Sequence, residues 1–378
     1  MIMVIIFAGI FLLLLFTLQR GLYRRWWNRG VSVKLEFEEE MVREGEEVKL
    51  LEIVENRKRL PLPSLKVKFQ CSRQLEFPQG ETGSVTDKYY RNDLFSIRPY
   101  QRITRSHQIH CRKRGYYGIY HIDLVGADLF FSEEMVESIS ADTVLYVLPK
   151  ALAAQKISPA LKQVCGEVTA RRYELADPFT HRGIREYEPY DEVKAINWKA
   201  TAKTGELKVN VKDHTAVSSV RIFMNLDDRG VLRQEELLEM GICICAHLTE
   251  ELLYQGIRVS IFANAGDCVS GQCLEMEEIT DASGMDEVLK SLARLDVESP
   301  MDKFEDCFKE RLFAKGESIF TVFISPDQHD DFQEMVVRYR AEAGEDFVWI
   351  CPVKKAEDQK AEACLADRTV FLLEEPDE

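Results

Sequence analysis

The chain has 378 residues, and its 46% apolar and 30% charged side chains are typical of globular proteins rather than of disordered ones. The formal net charge of -15 argues against nucleic-acid binding, because that class of protein needs a basic face to displace counterions from phosphates. The 10 cysteines form no C-x-x-C pair, so neither a zinc site nor a redox motif is indicated.

The chain starts with an uncharged apolar segment, IMVIIFAGIFLLLLFTL, over residues 2–18. As a helix this segment would be roughly 26 Å long, close to the thickness of the hydrocarbon core of a bilayer. A cleaved signal peptide would carry positive charge before the apolar segment and small residues at a cleavage site, and neither is present. The sequence therefore predicts a single transmembrane anchor over residues 1–19.

A basic and aromatic juxtamembrane segment, residues 20–30, follows the anchor and contains four arginines. Tyr23, Trp26 and Trp27 lie among these arginines, and we expect them to form an aromatic belt at the membrane–water interface. By the positive-inside rule, the arginines predict that the remainder of the chain lies in the cytoplasm. Since residues 1–30 contain no acidic side chain, this remainder carries a net charge of -19.

Residues 31–149 are predicted to form a β-sandwich. Stretches such as VSVKLEFEE, EVKLLEIVENR and LKVKFQC alternate apolar and polar side chains, and turn-forming sequences such as EGEE and LPLPS separate them. About seven short strands at this spacing are typical of two packed sheets. Val33, Leu35 and Phe37 would lie on an inner face, and no helix is expected here.

Residues 215–378 are predicted to form an α/β domain. RIFMNL is read as a buried strand, and the long amphipathic helix that follows it ends near Gly256. Further strands are read in IRVSIFAN, SIFTVFIS, DFVWICPV and TVFLLE, with helical patterns between them. This alternation predicts a parallel, doubly wound sheet with helices on both faces. Residues 150–214 would connect the two domains and contain a helix near residues 161–170.

The predicted strand ends carry no recognisable catalytic or nucleotide-binding motif, although doubly wound sheets bind ligands there. The loop after the first strand, NLDDRGVLRQEE, has one glycine and so differs from G-x-G-x-x-G and P-loop sequences. The chain also contains no G-x-S-x-G and no H-E-x-x-H sequence. We therefore expect a protein that is not an enzyme and has no catalytic residues.

The connector contains the stretch REYEPYDEVKAINWKATAKTGELKVN, which is rich in charged and aromatic side chains. This pattern resembles the signature of the domain-of-unknown-function 58 family, which are membrane-anchored proteins related to von Willebrand factor A domains. Upstream, RKRGYYGIYHIDLVGADLFF resembles the second recurring segment of that family, and the resemblance covers essentially the whole chain. The signature residues are Arg185, Tyr187, Pro189, Asp191, Ile196, Trp198 and Lys199.

The resemblance implies that residues 215–378 form a von Willebrand factor A-like domain and that a MoxR-type AAA+ ATPase is a partner. Two departures mark the chain as a divergent member. Tyr190 occupies a position where the family usually has a flexible glycine. Lys194 occupies a position where the family usually has arginine, and lysine lacks the planar fork of a guanidinium group.

Von Willebrand factor A domains hold Mg²⁺ through a D-x-S-x-S sequence after the first strand, together with a threonine and an aspartate from later loops. The corresponding loops here offer carboxylates but lack the serines and the threonine, so a bound metal is the less favoured interpretation. The candidate ligands are Asp227, Asp228, Asp302 and Asp327.

Two functions agree with these patterns. The favoured one is a non-enzymatic, membrane-anchored scaffold or adaptor whose cytoplasmic domains contact proteins, including a MoxR-type ATPase. The alternative is a ligand-binding module that depends on a divalent metal in a non-standard site. The signature itself also has two interpretations, because Trp, Tyr and Arg side chains suit both an internal domain junction and a docking surface.

Overall fold

The computed structural model describes residues 2–78, 83–85, 88–174, 181–188, 196–212, 219–227, 234–313, 319–343 and 347–373. The chain divides into two compact units, Met1–Lys150 and Ala151–Glu378. The predicted connector, residues 150–214, is assigned to the second unit from Ala151 onward.

Helix α1 (Ile2–Trp26) is long and apolar enough to cross a membrane. Its last turns enter the first unit, where Tyr23 is 1% exposed and Trp27, just beyond the helix, is 5% exposed. The expectation that Tyr23 and Trp27 lie at the membrane interface is therefore wrong. They are four positions apart, so they share one side of the helix, and that side packs into the β-sheet core. Trp26 stays exposed, and the guanidinium carbon of Arg29 lies 4.9 Å from the centroid of its ring.

The described residues of the first unit form two sheets. The four-stranded sheet has the order β1 (Val31–Phe37), β3 (Glu47–Asn56), β8 (Arg102–Cys111) and β5 (Leu75–Glu76). The six-stranded sheet has the order β2 (Met41–Arg43), β10 (Glu134–Leu148), β9 (Gly115–Ala127), β4 (Leu62–Ser72), β7 (Lys88–Ile97) and β6 (Gly83–Val85). Neighbouring strands are antiparallel except β2 and β10, which are parallel.

The two sheets enclose one apolar core, as the predicted sandwich requires. In strand β3 the side chains are buried at every second position from Val48 to Asn56, so one face of the strand lies in the core. Val33 and Leu35 of β1 are buried in this core and Phe37 packs against it. The sequence prediction missed β7 and the first half of β10. In β7 the inward positions include Arg91 and Asp93, so its alternation is hidden by charge.

The second unit contains a seven-stranded sheet. Its order is β15 (Cys273–Ile279), β14 (Arg258–Asp267), β13 (Ser219–Met224), β17 (Ile319–Ile324), β18 (Phe347–Val353) and β19 (Thr369–Leu373), and β16 (Leu295–Asp296) pairs with β14. The central strands are parallel, but β15 and β16 run antiparallel to β14. The sheet is therefore mixed rather than wholly parallel as predicted. Strand β15 is an edge strand with few buried positions, which makes CLEMEEI hard to read as a strand.

Helices cover both faces of this sheet. Phe323 of β17 contacts Phe332 and Tyr339 on one face, and a Cβ on Gly241 would lie 3.4 Å from the adjacent Ile324 on the other. Gly256 ends the long predicted helix with a φ of 69°, a left-handed conformation that favours glycine. The helices of this unit outside the signature are α2 (Ala154–Glu174), α4 (Glu235–Tyr254), α5 (Met285–Arg294), α6 (Phe304–Leu312) and α7 (Asp330–Ala343).

Candidate functional site

The described signature residues lie on or next to a small antiparallel ribbon in the second unit. Its two strands are β11 (His181–Glu186) and β12 (Lys208–Lys212), and the short helix α3 (Trp198–Thr204) lies between them in the chain. Ile196, just before the helix, forms an isolated bridge with Val209, and both side chains are buried. The bridge between Ile196 and Val209 therefore joins the start of α3 to β12.

Both ends of α3 are fixed by capping residues. The Oδ1 atom of Asn197 accepts a hydrogen bond from the main-chain N–H of Ala200 at 2.9 Å, which satisfies a free donor of the first turn. Gly205 ends the helix with a φ of 77°, and its N–H donates to the carbonyl oxygen of Thr201. The main-chain N–H of Lys208 donates to the Thr201 hydroxyl at 3.0 Å, which ties the helix to β12.

Three other described signature residues, Arg185, Trp198 and Lys199, are exposed to solvent. Trp198 is 65% exposed, and α3 buries none of its side chains. Arg185 and Lys199 are exposed, Tyr187 is half-buried, and the neighbouring Leu207 is 43% exposed. The ribbon thus presents a large aromatic ring, an aliphatic side chain and two cations on one locally fixed element. Pro189 and Asp191, which complete the predicted signature, lie outside the described residues.

The second candidate place is the edge of the sheet where β13 and β17 end. The strand order reverses between these two strands, and doubly wound sheets bind ligands at such a point. Asn225 follows β13, and its Oδ1 accepts a hydrogen bond from Nδ2 of Asn264 at 3.1 Å. Asn264 Nδ2 also donates to the main-chain oxygen of Asp302 at 3.3 Å, and its Oδ1 accepts from the N–H of Leu226 at 2.8 Å. A buried pair of amides therefore ties β14 to the loop after β13 and to the loop before α6.

Asp327 is the buried carboxylate of this edge, with an exposed fraction of 4%. Its Oδ1 lies 2.6 Å from Nδ1 of His329 and accepts the main-chain N–H of the same residue at 3.0 Å. Its own N–H donates to the hydroxyl of Ser325 at 3.0 Å. The carboxylate is thus held in the turn that leads into α7, with a half-exposed imidazole as its partner.

An open pocket of about 450 Å³ lies beside this edge, and acidic side chains predominate in its lining. Of the predicted metal ligands, the pocket lining includes Asp327 but neither Asp227 nor Asp302, and Asp228 lies outside the described residues. Within the described ranges, Asp227, Asp302 and Asp327 do not bring their carboxylates together as one group of ligands. The lining includes Asn225, Lys303, Asp306, Asp327, Asp331 and Arg338.

The sequence prediction missed a polar cluster inside the β-sandwich. Glu52, Asp93 and His107 bring ligand-type atoms within 4.8 Å of one another, and all three residues are buried. Glu52 Oε2 lies 3.1 Å from His107 Nε2, and Arg91 Nη2 lies 2.8 Å from His107 Nδ1. Arg91 also forms an ion pair with Asp93. The cluster joins β3 and β8 of one sheet to β7 of the other.

The hydrogen bonds of this cluster assign its protons. Arginine only donates, so Nδ1 of His107 is an acceptor and Nε2 carries the proton that is donated to Glu52. Burial raises the pKa of the Glu52 carboxyl, and the hydrogen bond from His107 opposes that rise. Glu52 Oε1 is buried without a hydrogen-bond partner, so the ionised form is incompletely solvated. Both ring nitrogens of His107 are thus engaged within the protein, Nδ1 by Arg91 and Nε2 by Glu52, so the arrangement is an internal hydrogen-bonded ion network.

A sequence signal for this cluster exists. Glu52 lies between Leu50 and Val54 at the buried phase of β3, and a charged residue in that phase predicts a polar partner across the core.

No protein-family model and no curated protein matches the sequence. Among solved structures, the CARDB domain of the PF1109 protein from Pyrococcus furiosus is 16% identical over 30% of this chain and 94% of that one, with a TM-score of 0.19. A non-cellulosomal cohesin from Archaeoglobus fulgidus is 10% identical over 31% and 91%, with a TM-score of 0.22. AvmM, which catalyses a macrocyclization in alchivemycin A biosynthesis, is 10% identical over 33% and 94%, with a TM-score of 0.23. These similarities carry no functional conclusion.

Proposed function

We propose that this chain is a non-enzymatic, single-pass membrane protein that presents its soluble units in the cytoplasm as a scaffold or adaptor for protein partners. The observation that carries the proposal is the 65% exposure of Trp198 beside the buried Ile196 and the capping residue Asn197. Tryptophan and arginine are the residue types that dominate the energies of protein interfaces. A ring held on a fixed element also loses little conformational freedom when a partner covers it.

The partner that we propose is a MoxR-type AAA+ ATPase, and this step rests on the resemblance to the domain-of-unknown-function 58 family. We further propose that the second unit is von Willebrand factor A-like. Support for this assignment comes from the order of the strands in the sheet. From the centre, β13, β14 and β15 follow one another toward one edge, and β17, β18 and β19 follow one another toward the other edge. The antiparallel edge strand β15 is part of that order.

The cytoplasmic side of the membrane is proposed from charge alone. Arg24, Arg25 and Arg29 lie on or just after the last turn of α1, and all three are exposed. Basic residues at the end of a span are retained on the cytoplasmic side. The ATPase and the exposed Trp198 would then share one compartment.

Affinity purification of the tagged full-length protein from native membranes tests the proposal, with and without a non-hydrolysable ATP analogue. The Trp198→Ala variant removes the exposed ring while leaving Ile196 and Asn197 to hold the ribbon. The matched control is Tyr254→Ala, because Tyr254 is an 87% exposed aromatic residue at the end of α4. Circular dichroism and thermal unfolding establish that both variants fold.

We expect the wild type and Tyr254→Ala to recover a AAA+ ATPase in a nucleotide-dependent manner, and Trp198→Ala to lose it. Equal recovery with a folded Trp198→Ala variant would instead make the signature an internal junction. If no ATPase is recovered with the wild type, the adaptor proposal loses its partner.

The metal-dependent module remains the alternative, and the buried carboxylate of Asp327 beside an acidic pocket favours it. Calorimetric titration with Mg²⁺ and with Mn²⁺ separates the two functions. Heat and a thermal shift that disappear in Asp327→Asn, but persist in the exposed charge control Asp286→Asn, would support the module. The absence of both signals from the wild type at millimolar metal would exclude it.

A further inference from the structure

The loop between β9 and β10 exposes three consecutive apolar side chains. Leu129 is 47%, Phe130 is 58% and Phe131 is 65% exposed. A contiguous apolar patch of this kind on a soluble surface marks a contact with a protein or with a membrane. The position of this patch relative to α1 distinguishes a membrane contact from a protein contact.

The patch lies next to the apolar part of α1. The ring centroids of Phe130 and Phe16 are 5.7 Å apart. Phe16 precedes Leu18, the last residue of the apolar segment, by two positions, and therefore lies roughly 3 Å inside its end along the helix axis. When this segment crosses a bilayer, the level of Phe16 is the edge of the hydrocarbon core. Phe130 is then at the same depth.

Polar contacts fix the loop against the helix at this level. Gln19 Nε2 donates to Asp128 Oδ2 at 2.9 Å, and Arg20 Nε donates to Glu133 Oε2 at 2.7 Å. Tyr23, one turn further on, donates its hydroxyl to the main-chain oxygen of Pro61 at 2.8 Å. These contacts connect α1 to both ends of the loop, so the depth of the loop follows from the depth of the helix.

The loop also has a defined internal conformation. Asp128 is 1% exposed, and its carboxylate accepts hydrogen bonds from the main-chain N–H and the hydroxyl of Ser132. The N–H of Phe131 donates to the main-chain oxygen of Asp128 at 3.1 Å, and Phe131 has a φ of 57°. A non-glycine residue in the left-handed region is held there by its surroundings. The apolar side chains are thus presented by a closed turn.

The charges next to the loop are compatible with a lipid surface. The two acidic side chains that follow it are both paired, Glu133 with Arg20 and Glu134 with Lys66. Arg24 and Arg25 are exposed on the same helix, about 9–10 Å beyond Leu18, which is the level of the headgroups.

We propose that Leu129, Phe130 and Phe131 insert into the bilayer as a second membrane contact beside the span of α1. A single helix leaves a domain free to rotate about the helix axis, whereas a second contact off that axis fixes which side of the sandwich faces the membrane. The inference uses the proposed membrane span and does not depend on the ATPase.

Photocrosslinking of the full-length protein in phosphatidylcholine–phosphatidylglycerol nanodiscs tests the inference. The photoreactive amino acid p-benzoyl-phenylalanine replaces Phe131 in one variant and Leu129 in a second, so that a folding defect at one position does not end the test. It replaces Leu12, within the apolar segment, as the lipid-positive control. It replaces Arg73 as the negative control, because Arg73 follows β4 at the end of the sandwich roughly 30 Å from the loop.

We expect phospholipid adducts at positions 131, 129 and 12, and none above background at position 73, by mass spectrometry of the digested protein. Lipid adducts at position 12 without any at 129 or 131 would overturn the inference and leave the span in place. Adducts of 129 or 131 with protein instead of lipid would also overturn it. If position 12 yields no lipid adduct, the proposed membrane span of α1 is contradicted, and so is the second membrane contact that rests on it.

Discussion

The hydroxyl of Tyr23 donates a hydrogen bond to the main-chain oxygen of Pro61 across 2.8 Å, although Tyr23 belongs to the helix that starts in the apolar segment. Trp27, four positions later, packs so closely on Gly126 that a Cβ there would lie 2.4 Å from the ring. The end of α1 is therefore part of the core of the first unit. A change in this contact should alter the stability of the sandwich.

Gly126→Ala is expected to destabilise the first unit by about 1–3 kcal/mol, because the added methyl group must displace the Trp27 ring or the β9 backbone. Urea unfolding of the purified protein in detergent measures the change. Gly166→Ala is the matched control, since nothing lies within 4 Å of a Cβ at this exposed position in α2. Because Gly166 lies within a helix, Gly166→Ala is expected to raise the free energy of unfolding by roughly 0.5–1 kcal/mol. If Gly126→Ala unfolds at the same urea concentration as the wild type, the close packing of Trp27 on Gly126 is contradicted.

The cap of α3 provides a prediction about the signature. Asn197→Ala should cost about 0.5–2 kcal/mol of local stability, because the N–H of Ala200 loses the side-chain acceptor at 2.9 Å. Amide hydrogen exchange of residues 198–204 is expected to accelerate. Asn197→Asp should keep slow exchange, since a carboxylate also accepts at this position. Trp198→Ala should change exchange little, because its ring is exposed.

If Asn197→Ala leaves the exchange rates of α3 unchanged, the cap contributes nothing to the ribbon. If Trp198→Ala accelerates exchange as strongly as Asn197→Ala, the ring has a structural role and the proposed docking surface weakens.

The elements that sequence predicted well are those whose burial pattern has one period. In β3 every second side chain is buried, and the pattern of α4 ends at Gly256 because glycine accepts the left-handed conformation there. Strand β7 was missed because Arg91 and Asp93 occupy its inward positions, and only the partner strands reveal why charge is tolerated. Strand β15 was missed because an edge strand needs little apolar character.

The candidate site was predictable only in part. The signature stretch is visible in sequence, but the division into buried Ile196 and exposed Trp198 depends on the bridge to Val209, a contact 13 positions away in the chain. Tyr23 and Trp27 have the composition of an interfacial belt, and only the packing on Gly126 shows that they belong to the core. The residue type limits the contacts that a side chain can make, and the neighbouring residues in the fold determine which of these contacts form.

The buried carboxyl of Glu52 predicts a pH dependence. Its pKa is raised by burial above the usual 4.5, so the folded state binds this proton more tightly than the unfolded state does. The stabilising contribution is complete below pH 4.5 and is lost as the pH rises through the folded pKa. Wild-type stability relative to Glu52→Gln should therefore fall with rising pH.

Urea unfolding of both proteins between acidic and neutral pH measures this difference. Glu39→Gln removes the same charge at an exposed position and controls for net charge. If the stability of the wild type relative to Glu52→Gln rises with pH, the dependence has the opposite sign and contradicts a raised pKa of the Glu52 carboxyl.

Cys273 at the start of β15 and Cys307 in α6 have sulfur atoms 3.8 Å apart, so a small movement would allow a disulfide. Burial raises the pKa of Cys307 to about 12, and the neighbouring Cys273 adds to the rise. Since the thiolate is the reactive form, we expect slow oxidation at neutral pH and faster oxidation as the pH rises. With diamide as oxidant, two S–H bonds break, one S–S bond forms, and the azo group takes up the two protons and two electrons.

Peptide mapping after alkylation of the remaining thiols should detect a Cys273–Cys307 crosslink in the oxidised protein. Cys307→Ser must abolish it, whereas Cys268→Ser should not, because Cys268 is exposed five positions before Cys273. Oxidation should also raise the unfolding temperature of the second unit, since the bond would join an edge strand to a helix on one face of the sheet. A mixture of crosslinks between exposed cysteines, with no Cys273–Cys307 peptide, would show that the two sulfurs do not approach in solution.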